Sequence, residues 1–159
     1  MKTKTDLAAL KRFLLFCGRE GYATLDSNPD AQRKEVDGST TISLRQDDWR
    51  FHDNYFGGEP FGGREVVFFQ DQPAWMMVYY GEVADRTADV GPIYKILRQA
   101  LAAIPDEAPY RGPSKLVDGE YEYQNEWIGE LTSFSGQEKI LHFGVVVYQA
   151  KYSGGLVDL

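Results

Sequence analysis

The residues from Trp49 to Arg64, WRFHDNYFGGEPFGGR, combine side-chain types that bind or convert small molecules. They include five residues of the Phe, Trp and Tyr types, an adjacent histidine and aspartate, and two arginines. A histidine beside a carboxylate can exchange protons at neutral pH, and an arginine can bind an anionic group through two parallel hydrogen bonds. The stretch therefore predicts either a functional site or a densely packed sheet corner, in which the two glycine doublets supply the turns.

If this stretch is an extended strand, its side chains alternate between two faces. One face carries Trp49, Phe51, Asp53 and Tyr55, and the other carries Arg50, His52, Asn54 and Phe56. We expect the face with Trp49 to pack inward, which makes Asp53 an unusual buried polar group. His52 and Asp53 would then point in opposite directions and could not act as a pair.

Metal binding and nucleophilic catalysis have no recognisable pattern in the sequence. The histidines are His52 and His142 and the single cysteine is Cys17, without H-x-x-x-H or C-x-x-C spacing. A metal site from His52, Asp53 and His142 would require distant strands to meet. No G-x-S-x-G elbow or phosphate-binding loop occurs. We therefore expect no metal and no cofactor, and we interpret Cys17 as a core thiol.

Two later stretches also carry candidate groups. The segment YRGP presents Arg111, which could bind a carboxylate or phosphate ligand, or could fix its loop to an acidic strand residue. The strand that follows alternates between an aromatic row and an acidic row. The aromatic row could form the wall of a pocket or part of the core, and the acidic row is typical of a solvated face. The rows are Tyr121, Tyr123, Asn125, Trp127 and Glu120, Glu122, Gln124, Glu126.

The elements that must position these groups are mainly strands. The apolar runs 65–70 and 74–81 predict a hairpin covered on both faces, one of them by the helix at 91–104. A turn at Asp118-Gly119 and another at Ser135-Gly136-Gln137 predict a meander, and the second turn would bring His142 near Glu130.

The fold class predicted is α+β, a mainly antiparallel sheet of six to eight strands with two helices, one of them packed on the sheet. The chain length suits one domain over residues 1–159. Its predicted parts are an N-terminal helix over 5–17, sheet over 22–84, a helix over 91–104 and a C-terminal meander over 115–152.

Charge and hydropathy exclude several function classes. The net charge of −7 and the scattered basic residues disfavour direct nucleic-acid binding. No apolar run reaches the roughly 20 residues of a membrane span. Charged residues at Asp6, Lys11 and Arg12 interrupt the N-terminal apolar stretch, which therefore predicts an amphipathic helix and not a signal peptide. We expect a cytoplasmic protein without membrane contact.

Several segments together resemble the bacterial DUF5680 domain family over roughly residues 5–159. They are WRFHDNYFGGEPFGGREVVFF, PAWMMVYYGEV, the helix from Ile93 to Ile104, APYRGP, YEYQNEWIGELTSFSGQEKI and YQAKYSGGLVD. The family has no established activity, so the resemblance assigns no catalytic residue. It implies frequent fusion to an XRE-type helix-turn-helix regulator, and hence a regulatory or ligand-sensing role. In this sequence the single N-terminal helix leads into strands, which argues against a DNA-reading module.

The favoured hypothesis is a small-molecule-binding or sensor module without catalysis, whose ligand is small and polar or anionic. One alternative is a small hydrolase-like enzyme that uses His52, Asp53, Arg64 and Arg111. Another is a protein-interaction or antitoxin-like module that binds a protein partner through the acidic row. The candidate pocket residues are Trp49, His52, Asp53, Tyr55, Arg64, Tyr79, Tyr123, Trp127 and Arg111.

Overall fold

The computed structural model describes residues 5–21, 28–85 and 89–158. The α-helices are α1 (Leu7–Phe16) and α2 (Gly91–Ala102), and a π-helical turn at Cys17–Gly21 extends α1. The strands are β1 (Gln32–Lys34), β2 (Thr40–Gln46), β3 (Trp49–Phe56), β4 (Phe61–Phe69), β5 (Gln72–Val83), β6 (Lys115–Asp118), β7 (Tyr121–Glu130), β8 (Ser133–His142) and β9 (Val145–Leu156). Strand β1 lies within the predicted sheet over 22–84, and the part of that sheet at residues 22–27 lies outside the described residues.

All the strands described belong to one antiparallel sheet in the order β1-β2-β3-β4-β5-β9-β8-β7-β6. The α+β class is confirmed, but over the described residues the sheet has nine strands and not six to eight. The predicted meander over 115–152 has no turn after residue 137, whereas Phe143 and Gly144 adopt positive φ values of 49° and 77° and form a turn there. This turn separates β8 from β9.

The predicted turn at Ser135-Gly136-Gln137 is wrong, because these residues lie inside β8. Strand β7 runs on to Glu130, which pairs with Ser133. His142 therefore lies far along β8 from Glu130. Its Nε2 atom is 3.0 Å from Oε2 of Glu120, and its ring stacks on Tyr121. The predicted hairpin between β6 and β7 is confirmed, but Asp118 pairs with Tyr121, so the two turn residues are Gly119 and Glu120 and not Asp118 and Gly119.

Both helices pack on the same side of the sheet, which we call the inner face. It carries the odd-numbered residues of β3, β4, β5 and β7, among them Phe51, Val67, Met77 and Tyr123. The apolar stripe of α1 packs on the first half of the sheet, and that of α2 packs on the second. Both helices therefore pack on the sheet, whereas the sequence predicts that one of them does. Buried helix residues are Leu10, Phe13, Leu14, Ile93, Ile96, Leu97 and Ala100.

The opposite side, the outer face, is left to solvent. Val78 and Tyr80 of β5 point outward and are exposed, so the prediction that the central hairpin is covered on both faces is wrong. These apolar residues alternate with buried ones, and no described helix reaches them. Among the described residues no helix is both long enough and apolar enough to cross a membrane.

The N-terminus of α1 is positioned by Asp6. Its Oδ1 atom accepts hydrogen bonds from the backbone amides of Ala8 and Ala9, two of the donors that a helix start leaves without partners. The capped helix then presents Leu14 and Cys17 toward the sheet. The end of α1 becomes one wall of the site described next.

Candidate functional site

A cavity of about 620 Å³ lies between the inner face of the sheet and the two helices. Strands β3, β4 and β5 contribute one wall, and the ends of α1 and α2 contribute the others. Its polar lining groups include Asp53, Glu65 and Arg111. Aromatic side chains surround them: Tyr55, Phe61, Tyr79, Tyr94 and Tyr110. Such a volume, with few polar groups among aromatic ones, is typical of small-molecule sites.

Asp53 is held in the cavity wall by Tyr79. The carboxyl group of Asp53 is buried, with only 7% of the residue exposed, and its Oδ1 atom accepts a 2.5 Å hydrogen bond from the Tyr79 hydroxyl. Burial, together with the neighbouring Asp53 charge, raises the pKa of Tyr79. Tyr79 therefore stays protonated and donates to Asp53 throughout the physiological pH range.

Gly63 makes this hydrogen bond possible. It lies on β4 between Tyr55 of β3 and Tyr79 of β5, so the Tyr79 side chain must cross it to reach β3. A Cβ atom at this position would lie 2.7 Å from the Tyr79 hydroxyl oxygen and 2.5 Å from the backbone oxygen of Asn54. The second glycine doublet, Gly62-Gly63, lies inside β4, so the prediction that it supplies a turn is wrong. Gly63 instead leaves space on the inner face for the Tyr79 side chain.

Glu65 is the direct cross-strand partner of Asp53 and lines the same cavity. The Glu65 side chain is half-buried: one part faces the cavity, and the rest is enclosed by protein. Desolvation, followed by repulsion from the Asp53 charge, raises the pKa of Glu65 to about 8, although Arg111 acts in the opposite direction. At neutral pH the Glu65 carboxyl group is therefore mostly protonated.

Arg111 is already engaged by a buried carboxylate. Its Nη2 atom donates to Oε1 of Glu138 at 2.5 Å and its Nε atom donates to Oε2 at 3.2 Å. Arg111 is 6% exposed and Glu138 is 0% exposed. Glu138 also accepts hydrogen bonds from the hydroxyls of Tyr123 and Tyr148, at 2.6 Å and 2.9 Å. The arginine thus fixes its loop to an acidic strand residue, the second of the two roles predicted for YRGP.

The rim of the cavity is tied to α2. The Tyr94 hydroxyl contacts both the backbone oxygen of Gly58, at 2.9 Å, and the carboxylate of Glu59. The other oxygen of that carboxylate accepts a 2.6 Å hydrogen bond from the Val83 amide. Gly57, which also lines the cavity, has a φ of 79°, and a Cβ there would lie 2.4 Å from the Pro60 backbone oxygen. The loop between β3 and β4 is therefore anchored beside the cavity.

The strand β3 faces as predicted: Phe51 and Asp53 are buried on the inner face, and His52 lies on the outer face. Arg64 is also on the outer face, beside Arg50 and His52. Burial, with the nearby arginine charges, lowers the pKa of His52, and its Nε2 atom has no hydrogen-bond partner among the described residues. The enzyme alternative required His52, Asp53, Arg64 and Arg111 in one place, and the sheet separates them into two pairs.

Four of the nine predicted pocket residues line the cavity: Asp53, Tyr55, Tyr79 and Arg111. Three others lie on the inner face within packed core, where Trp49 contacts Phe13 and Phe69, and Tyr123 and Trp127 join the hydrophobic clusters. His52 and Arg64 lie on the outer face. The lining residues that the prediction missed include Glu65, Phe61, Tyr94 and Tyr110. Glu65 had one sequence signal, an acid at the start of the apolar run EVVFF.

A family model described as a domain of unknown function (DUF5680) matches residues 53–157. The chain belongs to the DUF5680 family. The matched part of the DUF5680 domain includes Asp53, Glu65, Tyr79, Arg111 and Glu138. It is shorter than the 5–159 span that the resemblance suggested, mainly because it begins at residue 53. Comparisons with curated proteins and with solved structures gave no match.

Proposed function

We propose that this DUF5680 domain is a small-molecule-binding or sensor module that holds its ligand in the cavity on the inner face. The observation that carries the proposal is the cavity itself, about 620 Å³ in volume and lined by aromatic rings around Asp53 and Glu65. A well-packed core leaves few voids larger than a water molecule, so a space of this size has a cost in stability that ligand binding can offset.

The chemistry of the lining favours binding over catalysis. Asp53 is hydrogen-bonded to Tyr79, and Arg111 is hydrogen-bonded to Glu138. His52, the neighbour of Asp53 in the sequence, lies on the other side of the sheet. Groups fixed in this way orient a ligand and give specificity. A regulatory readout of the bound state belongs to the same proposal, as the family resemblance suggested.

The test is a thermal-shift screen of the full chain against a metabolite library, with two variants of neighbouring alanines. Ala102 lines the cavity at the end of α2, and Ala103 does not, although both are exposed. We expect Ala102→Trp to fill part of the cavity and to abolish the stabilisation by any hit, and Ala103→Trp to preserve it. Hits that stabilise A102W as much as the parent chain would place the binding site elsewhere.

A further inference from the structure

We propose that the ligand is a small organic cation whose ammonium group binds between the carboxyl groups of Asp53 and Glu65. This inference rests on the proposed function, since it names the chemical class of molecule for the same cavity. An ammonium group donates charge-assisted hydrogen bonds to carboxylates, and aromatic faces attract it as well. The lining supplies both kinds of partner.

The two carboxyl groups are placed together by the sheet. Asp53 and Glu65 are direct partners in the β3–β4 register, which puts their Cβ atoms about 4.5–5.5 Å apart on the inner face. Tyr79 donates to Oδ1 of Asp53. Glu65 makes no hydrogen bond or ion pair with any residue of the described ranges, although it is enclosed and lines the cavity. A ligand donor would satisfy it.

The charges around Glu65 select for a cation. The groups that influence it are Asp53 and Tyr79 on neighbouring strands, Cys17 at the end of α1, and the Arg111–Glu138 pair. The guanidinium of Arg111 already forms two hydrogen bonds with Glu138, so its charge is neutralised locally. Arg98 of α2 also lines the cavity, but it is exposed at the solvent side. An anionic ligand would therefore meet two carboxyl groups at the inner end.

The lining also favours an organic cation over a metal ion. Within the described residues, no third His, Cys, Asp or Glu joins Asp53 and Glu65 in a group that could hold a metal ion. Instead, the rings of Phe61, Tyr79 and Tyr110 are among the walls. Ring faces attract an ammonium group within about 6 Å of their centroids, whereas a hard metal ion requires more oxygen ligands.

Calorimetry with three probes of similar shape tests the charge preference. Phenethylamine is a cation at pH 7.5, 2-phenylethanol is neutral and 3-phenylpropionate is an anion. We expect the full chain to bind phenethylamine with a Kd at or below about 1 mM, at least about tenfold more tightly than either of the other probes. Equal or tighter binding of the neutral or anionic probe would overturn the inference, and so would the absence of phenethylamine binding.

Two variants make the test specific for Glu65. Glu65→Gln removes the charge while it keeps the size of the side chain, and we expect it to weaken phenethylamine binding about tenfold or more. Glu126→Gln makes the same change on an exposed outer-face residue and should leave the Kd unchanged. Near-UV circular dichroism confirms that each variant is folded. An unchanged Kd in E65Q would contradict the assignment.

Release of the proton from Glu65 on binding provides a second measurement. Titration in buffers of different ionisation enthalpy should show proton release on phenethylamine binding near pH 7 by the parent chain, and none by E65Q. Binding of the neutral probe that A102W abolishes would keep the proposed function and reject the cation. If neither phenethylamine nor the neutral probe binds, and the library screen gives no hit, the proposed function itself is rejected.

Discussion

Glu65 illustrates how its position changes the behaviour of an ordinary carboxyl group. In an extended strand on the outer face its carboxyl group would be solvated, as that of the exposed Glu126 on β7 is. On the inner face it lies opposite Asp53 in a cavity, where desolvation and repulsion raise its pKa to about 8. The Glu65 carboxyl group is therefore mostly protonated at neutral pH.

This shift predicts a pH dependence of stability. The ordinary pKa is 4.5, so between pH 4.5 and 8 the folded protein holds a proton on Glu65 that the unfolded chain has lost. The free energy of unfolding should therefore fall as pH rises through this window, with a Glu65 contribution of up to about 1.4 kcal/mol per pH unit. Urea denaturation at several pH values measures it.

Glu65→Gln is the variant that isolates this contribution. We expect the stability of E65Q to decline less than that of the parent chain between pH 5 and 8, because an amide has no proton to lose. Glu126→Gln, the exposed counterpart, should keep the parental slope. Parallel stability curves for the parent chain and E65Q would show that Glu65 titrates normally.

At the scale of elements, a side chain of β5 passes over strand β4 and contacts β3. Its inner-face residues are Phe61, Gly63, Glu65, Val67 and Phe69. The gap at Gly63 lets Tyr79 of β5 reach Asp53 of β3. Three strands are thereby joined by a side-chain hydrogen bond in addition to the backbone ladder. This bond fixes the orientation of Asp53 in the cavity wall.

Gly63→Ala tests this role of β4. The new methyl group would meet the Asn54 backbone oxygen at 2.5 Å and the Tyr79 hydroxyl at 2.7 Å, so a strand or a ring must shift. We expect a loss of roughly 1–3 kcal/mol in the free energy of unfolding. Gly58→Ala is the control, since no heavy atom lies within 4 Å of its added Cβ, and its effect should be below about 0.5 kcal/mol. Equal stabilities of the two variants would contradict the proposed role.

At the scale of the whole molecule, both helices pack on one face of the sheet that contains the nine strands described. Phe61 packs against both hydrophobic clusters, so the α1 half and the α2 half share a contact. The cavity lies between these halves. Helix α1 precedes the matched family segment, yet Leu14 and Cys17 help to line the cavity.

This arrangement predicts one cooperative unfolding transition, and Cys17 can report it. Cys17 is buried, and burial followed by the Glu65 charge raises the pKa of its thiol, so a thiol reagent should not modify the native protein. Because it is the single cysteine, its labelling in urea reports the release of α1. We expect the labelling midpoint to coincide with the tryptophan fluorescence midpoint, since Trp49, Trp75 and Trp127 span the sheet. Earlier labelling would show that α1 unfolds separately.

The sequence by itself determined the local features of this protein. Alternation assigned Phe51 and Asp53 to a buried face and His52 to the opposite one, and it assigned Tyr123 and Asn125 inward. Helical spacing located α1 and α2 within a few residues. These predictions succeed because the direction of a side chain follows from the backbone of its own element.

Only the tertiary structure decided which of those faces meet. The turn at Phe143-Gly144 lacks the usual Asn-Gly or Asp-Gly signature, so the sequence predicts one strand where the structure has β8 and β9. The pairing of Arg111 with Glu138 joins residues 27 positions apart, and the pairing of Asp53 with Glu65 depends on the β3–β4 register. Register and packing are set by the whole sheet, and they place the carboxyl groups of Asp53 and Glu65 side by side in the cavity wall.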